Sequence, residues 1–183
     1  MSPSIFTGSD DERLRRSGPR PSPGIPPPGT PIANRPGILP VTVTGATYAD
    51  YYRAAALTIA DDTDTVIDFD TAVEDTHSCV VVGATWKYTS PFYKVVNIST
   101  VVTLNTDADW VGGELGYLYV FVNGVVKAQL DRFDNISSRG TLTGHIALHL
   151  APGDYFQIVI HLDAGGSVGV NTTAGSTWIT VSG

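Results

Sequence analysis

Cysteine is nearly missing from this chain of 183 residues. Cys79 stands alone, so no internal disulfide can form and stability has to come from packing or from association. Flanked by Val80, Val81 and Val82, it reads as an inert buried side chain. Long apolar runs are missing too. Nothing approaches the ~20 consecutive apolar residues of a membrane-spanning helix, and the first residues contain no apolar core of the signal-peptide kind. A membrane partner and export by the usual route are therefore not expected. The sequons beginning at Asn97, Asn135 and Asn171 matter only in a secretory pathway, and are read as incidental in a Ser/Thr-rich chain. Basic residues are few: 11 Lys and Arg stand against 18 Asp and Glu, a net charge of −7.

Proline is the third scarcity, and a local one. Only Pro91 and Pro152 lie beyond residue 40, while ten of the 12 prolines lie at or before Pro40. Residues 1–40, with the run Gly18-Pro19-Arg20-Pro21-Ser22-Pro23-Gly24-Ile25-Pro26-Pro27-Pro28, have a composition that supports neither a hydrogen-bond ladder nor a core. They read as an extended arm. In polyproline II, at ~3.1 Å per residue, such an arm reaches on the order of 100 Å. Ile5, Phe6, Leu14, Ile25, Ile32, Ile38 and Leu39 are spaced along it as separate apolar anchors for pockets on a large surface. Charge divides at the same place: five arginines and three acidic residues give the arm +2, which leaves −9 on residues 41–183. An acidic domain repels phosphate backbones and anionic lipid, so nucleic acid is not an expected partner.

Residues 41–183 are the size of one domain, burying roughly two-thirds of the unfolded surface. Short runs of Val, Ile, Thr, Tyr and Phe alternate there with Gly, Asn and Asp, the pattern of strands joined by turns. The clearest hairpin joins Tyr117–Val122 to Val125–Leu130 through Asn123-Gly124, a pair that accepts the positive φ of a type I′ turn. Its first strand has Tyr117, Tyr119 and Phe121 on one face and Leu118, Val120 and Val122 on the other, so both faces are expected to be covered. Thr141–Leu150 alternates Leu142, Ile146, Leu148 and Leu150 with Thr141, Thr143, His145 and His149, a strand with one dry and one wet face. After the turn Ala151-Pro152-Gly153-Asp154, Tyr155–Leu162 places Phe156, Ile158, Ile160 and Leu162 inward. Further strands are expected over 54–59, 65–69, 79–82, 85–88, 93–104 and 177–182. A helical turn over 46–56 is the one exception, with Tyr51-Tyr52 equally able to begin a strand.

Catalytic constellations are poor, and no catalytic residue is assigned. His145 and His149 at i, i+4 sit about 13 Å apart on a strand, too far to share an ion. His77 and His161 show no partner in the sequence, and no Gly-x-Ser-x-Gly, His-Glu-x-x-His or Walker pattern occurs. The acidic stretches Asp61-Asp62-Thr63-Asp64 with Asp68 and Asp70, and Asp107 with Asp109, lack a complete calcium loop. They read as solvated turns, and neither a metal nor a cofactor is expected. Trp110, beside glycines, is the one candidate for stacking on a host-surface glycan.

The succession Tyr117–Phe121, Val122-Asn123-Gly124, Leu148-His149-Leu150-Ala151-Pro152-Gly153-Asp154-Tyr155-Phe156 and Ser176-Thr177-Trp178-Ile179-Thr180-Val181 resembles the C-terminal half of a C1q/TNF-like jelly roll. Phe69-Asp70-Thr71 and Thr89-Ser90-Pro91-Phe92-Tyr93 resemble its earlier landmarks, although Phe92-Tyr93-Lys94 replaces the family's Gly-x-Tyr after the proline. The resemblance spans residues 55–183 and implies an all-β jelly-roll sandwich and a homotrimer packed through aromatic strands, here Tyr117, Tyr119 and Phe121. With the arm, it points to a non-enzymatic virion protein of a tailed phage: a trimeric capsid decoration (cement) or head-fibre protein on the capsid surface, its arm bound to the major capsid protein or another virion protein. A receptor- or glycan-binding module of a tail or fibre is the alternative.

Overall fold

The computed structural model describes residues 46–105, 115–134 and 140–183, and within it Thr44–Gly183 forms one compact unit. The arm anchors and Trp110 lie outside the described residues. Every described element is a strand: β1 (Tyr48–Tyr52), β2 (Thr58–Ile59), β3 (Thr65–Val66), β4 (Thr71–Asp75), β5 (Val80–Val81), β6 (Lys87–Thr89), β7 (Lys94–Thr103), β8 (Leu115–Val122), β9 (Val125–Asp134), β10 (Thr141–Leu150), β11 (Tyr155–Asp163), β12 (Val168–Gly169) and β13 (Trp178–Ser182).

The strands form a sandwich. One sheet has the order β10-β7-β13-β1-β4; the other runs β5-β6-β11-β8-β9, with β3 also paired to β11; β12 and β2 make a small third pair. All pairings are antiparallel. Alternation sets the core. From the first sheet come Val96, Ile98 and Val102, Leu142, Leu148 and Leu150, Ile179 and Val181; from the second come Leu118, Val120, Phe156, Ile158, Ile160 and Leu162. At one end Phe69 meets Trp86 edge-on at 5.1 Å, and Tyr88 stacks on Phe156 at 5.2 Å. Cys79 is buried in this core, and burial, followed by the charge of Asp75, pushes its thiol up.

Several sequence expectations are corrected here. Residues 48–52 are a strand and not a helical turn, because Ala49 and Tyr51 point inward while Tyr48, Asp50 and Tyr52 point out, a period of two. The strand expected over 54–59 shrinks to Thr58–Ile59, since Arg53 holds the carbonyls of Ala55 and Ala56. The strands β4 and β12 have no counterpart in the sequence reading. Within a single chain β8 packs its Leu118/Val120 face on the core, and Tyr117, Tyr119 and Phe121 are half-buried on the outer face. The Asn123-Gly124 turn has φ of 52° and 77°, the double positive of type I′.

Candidate functional site

Tyr117, Tyr119 and Phe121 stand in a column on the outer face of the second sheet. Tyr117 and Tyr119 stack nearly parallel at 5.8 Å, and Phe121 meets Tyr119 at 6.4 Å, tilted by 61°. The register places each between cross-strand neighbours: Arg132 and His161 flank Tyr117, Gln129 and Val159 flank Tyr119, Val126 and Gln157 flank Phe121. The Arg132 guanidinium lies 5.3 Å from the Tyr117 ring centre, a cation–π contact. Asp134, hydrogen-bonded to it at 2.7 Å, raises the guanidinium's pKa still further. Burial, then the neighbouring Tyr117 and the Asp64 carboxylate, pushes the Tyr119 hydroxyl above its ordinary pKa. The result is a semi-polar aromatic strip suited to being covered.

His161, without a partner in the sequence reading, joins this strip. Its Nδ1 lies 3.0 Å from Asp64 Oδ1 and its Nε2 3.5 Å from Asp62 Oδ1, because β3 lays the acidic turn along β11. His77 packs edge-on against Phe92. The acidic stretch is not simply solvated, as the sequence suggested. Asp61 accepts from the amides of Ala164 and Gly165, and Asp68 and Asp70 reach Arg53 Nη1 at 3.0 and 3.5 Å. Arg53 is only 5 % exposed and also donates to the carbonyls of Ala55, Ala56 and Asp68. Among the described residues no group of three His, Cys, Asp or Glu is arranged to hold a metal.

On the outer face of the first sheet, a row crosses four strands: Asp50, Thr180, Ser99 and His145 lie side by side. Ser99 Oγ and His145 Nδ1 are 2.5 Å apart above a hollow of about 430 Å³ lined also by Asn97, Ala147 and Ser182. A serine beside a histidine invites a nucleophile reading, but the geometry argues otherwise. Acyl transfer needs amide donors aimed at a developing oxyanion, and Ser99 sits on a strand hydrogen-bonded to neighbours on both sides. Among the described residues, no carboxylate pairs with His145.

No family model matches the chain, and no curated protein does. Solved structures match it well. An Eiger TNF from S. frugiperda aligns with 91 % of its own chain and 75 % of this one, at 12 % identity and a TM-score of 0.54. Murine APRIL at pH 8.5 aligns over 98 % of its chain and 75 % of this one, at 12 % identity and a TM-score of 0.51; the same protein at pH 5.0 gives 13 % and 0.52. Identity this low carries the fold and nothing more, and the fold is a jelly roll of the tumour-necrosis-factor type.

Proposed function

We propose that this chain is a non-enzymatic structural protein that assembles as a homotrimer on a virion surface, with residues 1–40 as the anchor and the jelly roll as the displayed part. The reading rests chiefly on the split in composition. Residues 1–40 are proline-rich, carry +2 and have spaced apolar side chains, while residues 41–183 carry −9 and supply every described strand of the sandwich. A segment that cannot bury its own apolar residues uses them against another surface. Prolines between them lower the ordering cost of that binding.

The half-buried column Tyr117, Tyr119 and Phe121 supports self-association, since burial of such rings in an interface stabilises it. Capsid decoration or a head fibre is the specific form proposed, with the major capsid protein as the anchor's partner.

The test is co-sedimentation with undecorated capsids of a tailed phage. The full chain is expected to pellet with the particles and a chain lacking residues 2–40 to stay in the supernatant while remaining folded. If the truncated domain pellets equally well, the attachment surface lies on the jelly roll, and the receptor- or glycan-binding reading replaces this one.

A further inference from the structure

Of the six asparagines in this chain, Asn123 alone is followed by glycine. That pair is chemically labile. Gly124 has no side chain to obstruct the approach of its backbone nitrogen to the Asn123 side-chain carbonyl, and asparagine is a thermolabile residue for this kind of reason. The Gly124 amide gives its proton to base, its nitrogen bonds to Asn123 Cγ, and Nδ2 leaves as ammonia, which closes a cyclic imide. Water then opens the imide at either carbonyl and yields aspartate or isoaspartate, so one water is consumed for each ammonia released. Asn123 and Gly124 are both exposed, and base and water reach them.

The fold turns the side chain away from this attack. Asn123 Nδ2 donates to Asp154 Oδ1 at 2.8 Å, and Asn123 Oδ1 accepts from the Tyr155 amide at 3.0 Å. Both ends of the amide are aimed at the turn that precedes β11, and ring closure requires them to let go. Asp154 is itself fixed: its Oδ2 accepts from the Ala151 amide at 2.8 Å, and its carbonyl accepts from the Ser90 amide at 2.8 Å. Its carboxyl is held below the usual range, chiefly by the Asn123 bond and then by the Ala151 amide, so at neutral pH the bond to Nδ2 is of the stronger, charge-assisted kind. We propose that Asn123 is a self-modification site, converting to aspartate and isoaspartate through Gly124, and that Asp154 is the positioning residue that restrains the reaction. The change is one-way, and it opens the joint between the two turns. A carboxylate at position 123 has no N–H to offer Asp154 and repels its charge. The chain thereby keeps a chemical record of how often this joint has come apart. The proposal stands independently of the virion reading.

The full chain is incubated at neutral pH and every asparagine is followed by peptide mapping with mass spectrometry, where a converted residue is heavier by the difference between OH and NH2 and its two isomers separate by retention. Conversion is expected at Asn123 before any other asparagine, and at least about tenfold more slowly in the folded chain than in concentrated urea. Asp154→Ala, with its β-sheet circular dichroism intact, should speed the folded chain's reaction about tenfold or more, the population that one hydrogen bond to a charged group holds back. Asp154→Asn keeps an oxygen to accept from Nδ2 without the charge, so its rate should fall between the two; it decides the matter if Asp154→Ala fails to fold. Converted chains, separated by anion exchange, should melt at a lower temperature than the parent. Four results would overturn the proposal: another asparagine reacting first, the folded chain reacting as fast as in urea, folded Asp154 variants reacting at the parent's rate, or converted chains melting with the parent.

Discussion

Asn123 and Asp154, thirty-one residues apart, lock two turns of the second sheet together: Asn123 Nδ2 donates to Asp154 Oδ1 at 2.8 Å. Each does a second task. Asn123 Oδ1 accepts from the Tyr155 amide, and Asp154 Oδ2 accepts from the Ala151 amide. The Asn123 bond, then the Ala151 amide, holds the Asp154 carboxyl below the usual carboxylate range. Asn123→Ala removes both bonds and puts a less tolerant residue at φ 52°, which should cost about 1–2 kcal/mol. In thermal unfolding, Asn123→Ala and Asp154→Ala together should cost less than the sum of the two. Strict additivity would show that the bond between them is idle.

Asp70 contributes to the response to acid. Burial alone would push the Asp70 carboxyl up, but the Ala54 amide, the Thr71 hydroxyl, the Ala55 amide and Arg53 together hold it below its ordinary value. A carboxyl depressed by folding stabilises fully above its unfolded pKa, ~3.9, and loses that contribution as pH falls through the lower folded value. Asp70→Asn should therefore destabilise at pH 7 by about 1–3 kcal/mol, and the gap from the parent should narrow as pH falls below the unfolded pKa. Denaturant unfolding at pH 7 and pH 2.5 measures both; a gap that persists in acid would mean that packing, and not charge, is lost.

Gly144 lets the sandwich close at its β9 edge. A Cβ there would meet the Leu130 side chain at 2.7 Å. Gly144→Ala should cost about 1–3 kcal/mol through overpacking, and Leu130→Ala in the same chain should recover part of the loss. Failure of that rescue, read by thermal melts, would place the strain in the backbone.

The aromatic column makes the oligomer testable. Light scattering of the isolated protein at micromolar concentration is expected to give three times the chain mass. Phe121→Glu, which places a charge in the column, should shift the protein to monomer while leaving its β-sheet circular dichroism intact, because Phe121 lies on the outer face. A parent chain that runs as a monomer would remove Tyr117, Tyr119 and Phe121 as an interface.

Sequence alone was enough for the all-β jelly roll. Where alternation is strict, as in Thr141–Leu150 and Tyr155–Leu162, the period of two states both the strand and its buried face, and Asn-Gly states the turn. Short strands held from outside were not legible. β4 exists because β1 pairs with it, and β12 because β2 does; neither carries enough alternating residues to announce itself. Tertiary structure alone decided which polar groups meet. Asp68 and Asp70 read as solvent-facing acids until the fold brought buried Arg53 between them, and His161 had no partner until β3 paired with β11. Tyr52 and Trp178, near opposite ends of the sandwich sequence, meet as directly opposed partners of β1 and β13. Periodicity reports which way a side chain points, and what it meets there is settled by strand register across the sheet.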